Sequence, residues 1–403
     1  MVNKTIIRLA ILLLLTSCST KKKFGKLFEE GYTQQQAFNV KIPFEDRFGL
    51  IVIKVELNNE TYDFILDSGA VNVLSKKLAK KLGGKGLFTV NNADSQGNAQ
   101  QLEMTKIEEI SIGGIKFTGT GAGIIDLHQS IDVGCMEVDG VIGSNLMRLA
   151  VWKIDFKNQV ITITNRKESL ALGTKVKKIP FYTYGEEDKP FCNLKINEVE
   201  EKNVVIDLGS NGGFSLSYNS YEKIQNALPI HKKAIEYGSV GSGGYGYGKM
   251  DSLYHVQAGS LSVGEIELNN QIIQFSKSIV PTLGTAFFKN YDLVMNWEDK
   301  ELLLSPHTDY DNHQFIHVGF NLHYQDDALI IASLLKESDA EQSGMQLGDK
   351  ITQIDGKDYS NASIEDHCDL LKQVYKDNPI KNVLINRNGE ELSFDLKEEV
   401  IIE

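Results

Sequence analysis

The stretch Phe64-Ile65-Leu66-Asp67-Ser68-Gly69-Ala70 returns, 140 residues later, as Val204-Val205-Ile206-Asp207-Leu208-Gly209-Ser210. In each copy a run of β-prone apolar residues delivers an aspartate into a glycine-containing turn, so a carboxylate stands where a buried strand ends. One such carboxylate is costly to bury. Two that face each other cannot both ionise, and they share a proton at neutral or acid pH. Asp, Ser and Gly are ordinary turn residues, so the weight of the argument lies on what repeats around them.

Before each aspartate lies a hairpin-like segment, Ile51 to Asn59 in the first copy and Phe191 to Asn197 in the second. After it comes a strand-turn-strand, Ile110 to Phe117 against Leu261 to Leu268. An apolar pair then meets a glycine and a short helix-like run, Val141-Ile142-Gly143-Ser144-Asn145-Leu146-Met147 against Thr282-Leu283-Gly284-Thr285-Ala286-Phe287-Phe288. Asp155-Phe156 and Asn296-Trp297 follow, each leading into a closing strand. From Asp to Gly the two copies span 76 and 77 residues, while the middle landmark is displaced by eleven. This is a diverged duplication in which loops have been exchanged.

These residues resemble the aspartic peptidases, and more closely the retropepsin-like lobes that bacterial lipoproteins carry in tandem; the likeness covers roughly residues 40 to 305. The resemblance implies a mainly β protein: two tandem retropepsin-like β-barrel lobes, 40–168 and 169–305, forming a bilobal aspartic protease fold. It implies Asp67 and Asp207 as the catalytic dyad at the lobe interface. Ser68, Gly69, Gly209 and Ser210 would support it, the glycines by letting backbone approach closely. The family usually places Thr or Ser after each aspartate, whose hydroxyl bonds across to the opposite lobe. Ser68 fits and Leu208 does not, so one cross-lobe bond, worth about 1 kcal/mol, is missing.

At the amino end, Lys4 and Arg8 accompany an apolar run, Ile6 to Leu15, too short to span a bilayer. Leu15-Thr16-Ser17-Cys18 follows and resembles a bacterial lipoprotein processing site, with 1–17 as signal peptide and Cys18 as the lipidated first residue. Acyl chains on Cys18 would hold the protein on a membrane, and Ser19 goes with outer-membrane sorting toward the periplasm. Residues 18–39, rich in lysine, read as a tether. Removing Lys4 and Arg8 with the signal takes the formal charge from -12 to -14, which argues against nucleic acid as a partner.

Cys135, Cys192 and Cys368 remain, an odd and scattered set whose spacing predicts no disulfide. No cluster has metal-ligand spacing, and no cofactor is expected. His231, His255, His307, His313, His317, His323 and His367 read as surface or loop residues.

Within the first lobe, Leu74 to Leu82 reads as a helix begun near Ser75 and stopped by Gly83-Gly84. Asn91 to Asn98 is polar and turn-rich, either a hairpin flap over a cleft or a plain solvent loop. In the second lobe, Gly238 to Gly248 is so rich in glycine that it reads as mobile. Tyr245 is its candidate lid residue, with an incidental tyrosine in a loose loop as the alternative.

A polar linker over 305–314 precedes a third unit, 314–400. The run Ser338 to Ile351 with Gly348-Asp349-Lys350-Ile351, and then Ile354-Asp355-Gly356-Lys357, resembles a PDZ domain, β with two helices. That resemblance implies a peptide added as a strand along Gly319, Phe320, Asn321 and Leu322. Gly319-Phe320 would receive its terminal carboxylate, and the helix Ser363 to Val374 would form the opposite wall. The alternative is a PDZ-shaped unit that packs on the lobes and binds nothing. The expectation is thus a lipid-anchored, monomeric aspartic endopeptidase of the cell envelope that takes peptide or protein substrates. Its rival is a pseudoprotease that binds peptides without cutting them.

Overall fold

The computed structural model describes residues 23–173, 175–227, 232–277, 279–374 and 380–403; the apolar amino end with Cys18, and His231, lie outside them. The chain is mainly β. Strands Leu50–Leu57 and Glu60–Asp67 form a hairpin over Asn58 and Asn59, both at positive φ (51° and 64°), the backbone that tight hairpins demand and that asparagine tolerates. Hydrogen bonding then runs round a closed ring: Leu50–Leu57, Glu60–Asp67, Gly140–Gly143, Val73–Ser75, Ile115–Ile125 and Ala99–Ile112, back to Leu50–Leu57.

The second lobe repeats that ring strand for strand, as Phe191–Ile196, Val199–Asp207, Thr282–Gly284, Phe214–Ser217, Ile266–Ser276 and Asp251–Val263. In both lobes the strand carrying the late glycine lies parallel to the strand carrying the aspartate. Its register sets Gly143 opposite Asp67 and Gly284 opposite Asp207. The spacings of 76 and 77 residues therefore have a physical meaning: they bring the two landmarks side by side. Between the barrels a six-stranded sheet takes strands from both halves of the chain, joined where Val151–Asp155 pairs antiparallel with Tyr291–Asn296. Trp152 is fully buried there, stacks on Phe117 and donates its indole N–H to the Met147 carbonyl at 2.8 Å.

The helix read from Ser75 and Gly83-Gly84 spans Lys76–Lys81, with the Ser75 hydroxyl accepting from the Leu78 N–H. Residues 23–33, expected within a tether, instead pack on the first lobe. They form a helix over 23–29 with Phe28 buried against the lobe, then a strand, Tyr32–Thr33, paired with Phe117 and Thr118. Arg148 closes that helix, donating to the Phe28 and Glu29 carbonyls. The linker is not loose either, since Tyr310 packs edge-on to Phe214 and Phe287 in the second lobe.

The C-terminal unit has its own core, around Phe320, Leu329, Ile351, Leu370 and Val383. It is joined to the second lobe by main-chain pairing, since Lys233–Gly238 pairs with Ala328–Leu335 and one sheet runs through both. A disulfide, Cys135–Cys368, ties it to the first lobe across 233 residues of sequence, a link that spacing did not predict. His255, His323 and His367 are buried, not at the surface as their sequence setting suggested. His255 is held by Glu236 on the neighbouring strand (3.3 Å) and lies flat on Phe315, so a carboxylate brought alongside by strand pairing makes its burial tolerable.

Candidate active site

Each aspartate closes a buried strand, and the folded lobes bring the two together. A Cβ on Gly209 would lie 2.2 Å from Asp67 Cγ, and one on Gly69 would lie 2.6 Å from Asp207 Cγ. Each carboxylate thus sits on the glycine of the opposite lobe, in space that any side chain would fill. Oδ1 of each aspartate accepts the N–H of its own turn glycine, at 2.8 Å from Gly69 and 2.9 Å from Gly209.

Two supporting residues escaped the sequence reading. Ser144 and Thr285, next to the late glycines, each donate a hydroxyl at 2.9 Å to a turn carbonyl, that of Ala70 or of Ser210. Their signal was available, because each directly follows the glycine of the repeated landmark, Gly143 or Gly284. Ser210 therefore supports the site through its carbonyl.

Between the lobes, the Ser68 hydroxyl donates to the Ile206 carbonyl at 2.6 Å and accepts the Leu208 N–H at 3.1 Å, all fully buried. Leu208 is more than a missing hydroxyl: its side chain is fully buried in the main hydrophobic core. We expect Leu208→Thr to lower folding stability by about 2 kcal/mol, because the cavity outweighs one regained hydrogen bond. Urea unfolding would check this, and an unchanged or raised midpoint would show that the hydroxyl outweighs the core.

Burial, and then the charge of Asp67, push the Asp207 carboxyl well above the ordinary carboxylate range. Burial also raises Asp67, against the hydrogen bond from Asp207 and the N–H of Gly69. Lys189 acts on both in the opposite sense. The net result is a pair that keeps one proton between its members.

The pair lies in a cleft of about 490 Å³. Its first-lobe wall is apolar, with Leu50, Ile65, Val71, Leu102, Ile125 and Met136. The second-lobe wall is largely polar, with Ser215, Lys249, Gln274 and Thr282. Two hairpins roof it. One is the turn joining Phe88–Ala93 to Ala99–Ile112, which places Asn92 to Gln96 on the cleft. The other pairs Ser242–Gly243 with Gly246–Tyr247. They bond to each other: the Tyr245 N–H donates to Asp94 Oδ2 at 2.9 Å, and Asn92 Nδ2 donates to the Tyr245 hydroxyl at 2.6 Å. A Cβ on Gly243 would fall 2.4 Å from Asp94 Oδ2, so that glycine permits the approach. The glycine-rich segment is thus an ordered hairpin, with Tyr245 packed against the apolar wall.

The third set of sequence-selected residues is arranged otherwise. Gly319 has φ +99° and donates its N–H to His317 Nδ1 at 3.0 Å. Phe320 is buried in the C-terminal core, and Leu322 is half-buried against it. Asn321 donates its side-chain amide to Glu236 of the second lobe and to Ser333, so this side chain serves the joint between units and does not face a groove.

Residues 53–146 match the aspartyl protease family and residues 312–381 match the PDZ domain. The comparison with curated proteins finds no match. The first match contains Asp67, and the topology of the second lobe supplies Asp207 from outside it. The chain therefore carries an aspartyl protease domain at residues 53–146 and a C-terminal PDZ domain at residues 312–381.

Proposed function

We propose that the chain is a lipid-anchored aspartic endopeptidase of the cell envelope, with Asp67 and Asp207 as its catalytic pair. The observation that carries this reading is the seating of each carboxylate on the opposite lobe's glycine, a closeness at which two buried carboxylates share a proton. The ionised member takes a proton from a water held between the two, and the water oxygen bonds to the scissile carbonyl carbon. The protonated member gives its proton to the carbonyl oxygen. Collapse of the resulting diol breaks the C–N bond as a proton passes to the amine nitrogen, and the pair is left with one proton again. The walls favour an extended peptide with an apolar side chain toward the first lobe and a small or polar one toward the second.

Export and lipidation at Cys18 are supported by the charged and apolar pattern of residues 1–17, and outer-membrane placement facing the periplasm by Ser19. The Cys135–Cys368 disulfide accords with an oxidising compartment. A second reading, peptide binding without cleavage, is favoured by Leu208, which leaves the dyad with one cross-lobe clamp of this kind.

Cleavage of casein by the soluble chain from residue 21, from about pH 4 to about pH 8, separates the two. Because burial raises both carboxyls, the optimum is expected nearer neutral than for two solvated aspartates. Peptide binding without cleavage at any pH would leave the second reading standing.

A further inference from the structure

The glycine-rich hairpin has two working faces. Tyr245, on one, closes the roof against Asp94 and Asn92 of the first lobe. Two residues on, Tyr247 enters the groove of the PDZ domain between Phe320–Gln325 and the helix Ile364–Val374. Its ring lies flat on His323, centroids 3.7 Å apart and planes 8° apart. Its hydroxyl oxygen accepts the Tyr324 backbone N–H at 3.3 Å. That N–H is an edge-strand donor of the kind an added peptide strand would use.

The first lobe reaches the same groove. The short helix Ile131–Gly134 packs Ile131 against the PDZ core. Asp132 Oδ1 lies 2.8 Å from His367 Nε2 and accepts the Tyr247 hydroxyl at 3.3 Å. Cys135, just after this helix, is bonded to Cys368, the neighbour of His367. The helix Ile364–Val374 in turn sends Leu371 into the wall of the dyad cleft.

We propose that the PDZ groove takes its own chain as ligand, Tyr247 and Asp132, and by holding the hairpin there keeps the roof closed over the dyad. A peptide strand entering beside Phe320–Gln325 has to displace Tyr247, and the hairpin that moves is the one that carries Tyr245. Control of the cleft by the groove rests on the endopeptidase reading for its catalytic consequence alone; the coupling is a property of the hairpin.

Hydrogen exchange read by mass spectrometry on the soluble, disulfide-intact chain tests this without requiring cleavage. His323→Ala removes the surface on which Tyr247 lies and touches nothing in the cleft. We expect it to speed exchange about tenfold in residues 91–98 and 241–248, whereas Ile364→Ala, exposed at the start of the PDZ helix, leaves both segments unchanged. Should His323→Ala unfold the PDZ domain, Tyr247→Phe keeps the ring and deletes only the hydroxyl, and a smaller acceleration in the same two segments is expected. Faster exchange confined to residues 320–325, with the roof unchanged in both variants, would overturn the proposal. Casein cleavage is measured in parallel. A roof that opens while no variant cleaves would leave the coupling intact and defeat the endopeptidase reading.

Discussion

Asp207→Asn is expected to lower casein cleavage by about 10³-fold or more and, near neutral pH, to raise the melting temperature by a few degrees. Both effects come from one carboxyl. Cleavage needs a proton-accepting member and a proton-donating member, and an amide can be neither. Stability moves the other way because burial and the charge of Asp67 work against ionisation of Asp207. Its folded-state pKa lies above the unfolded one, so the folded state binds that proton more tightly. The parent therefore gains stability as pH falls through the raised folded value, and carries the full penalty above it. The neutral amide carries none at either pH. Calorimetry of parent and variant near pH 5 and near pH 7.5 should show the gap widening toward the higher pH. A variant less stable than the parent at both would mean that the pair is better solvated than its seating on Gly69 and Gly209 indicates.

Loss of the Cys135–Cys368 bond should have the largest effect on folding. Cross-linking residues 233 apart removes chain entropy from the unfolded state worth up to about 5 kcal/mol. The native contacts it accompanies are few: Ile131 on the PDZ core and Asp132 with His367. We expect the Cys135→Ser, Cys368→Ser double variant to lose about 3 to 5 kcal/mol in urea unfolding. The PDZ domain should loosen before the lobes, because what still holds it is the short pairing of Lys233–Gly238 with Ala328–Leu335 and a few side-chain contacts, those of Asn321 with Glu236 and of Tyr247 and Asp132 in the groove. Equal midpoints with and without reductant for the parent would show that the bond restrains little. Cys192 is inert only in the folded chain, where burial in the second-lobe core pushes its thiol pKa up to about 12; urea exposes it to exchange with the bond, so Cys192→Ala is carried in the parent and the variant alike.

Much of the fold was legible because its signals are local or repeated. The apolar run into Asp67 and the run into Asp207 declared strand ends. Ser75 and Gly83-Gly84 bounded a helix that spans Lys76–Lys81. The order of landmarks declared a duplication before any contact was known, and the Gly348-Asp349-Lys350-Ile351 stretch marked the PDZ domain. Other sites deceived because composition reports a residue and not its neighbours. Leu208 read as a lost hydroxyl and is a core residue. Asn321 read as a groove residue and is occupied by Glu236 of another unit. His255, His323 and His367 read as surface residues and are buried beside partners from other segments.

The division follows the range of the forces involved. Strand patterning, turn chemistry and capping act within a few residues, so the two lobes, the two aspartates and the C-terminal unit were present in the order of amino acids. Whether Asp67 meets Asp207, which hairpin covers them and what fills the PDZ groove depend on groups far apart in sequence, from 77 residues for Tyr247 and Tyr324 to 235 for Asp132 and His367. Only the packed chain sets those distances, through the parallel register of Gly143 with Asp67, the sheet between the lobes and the disulfide to the PDZ helix.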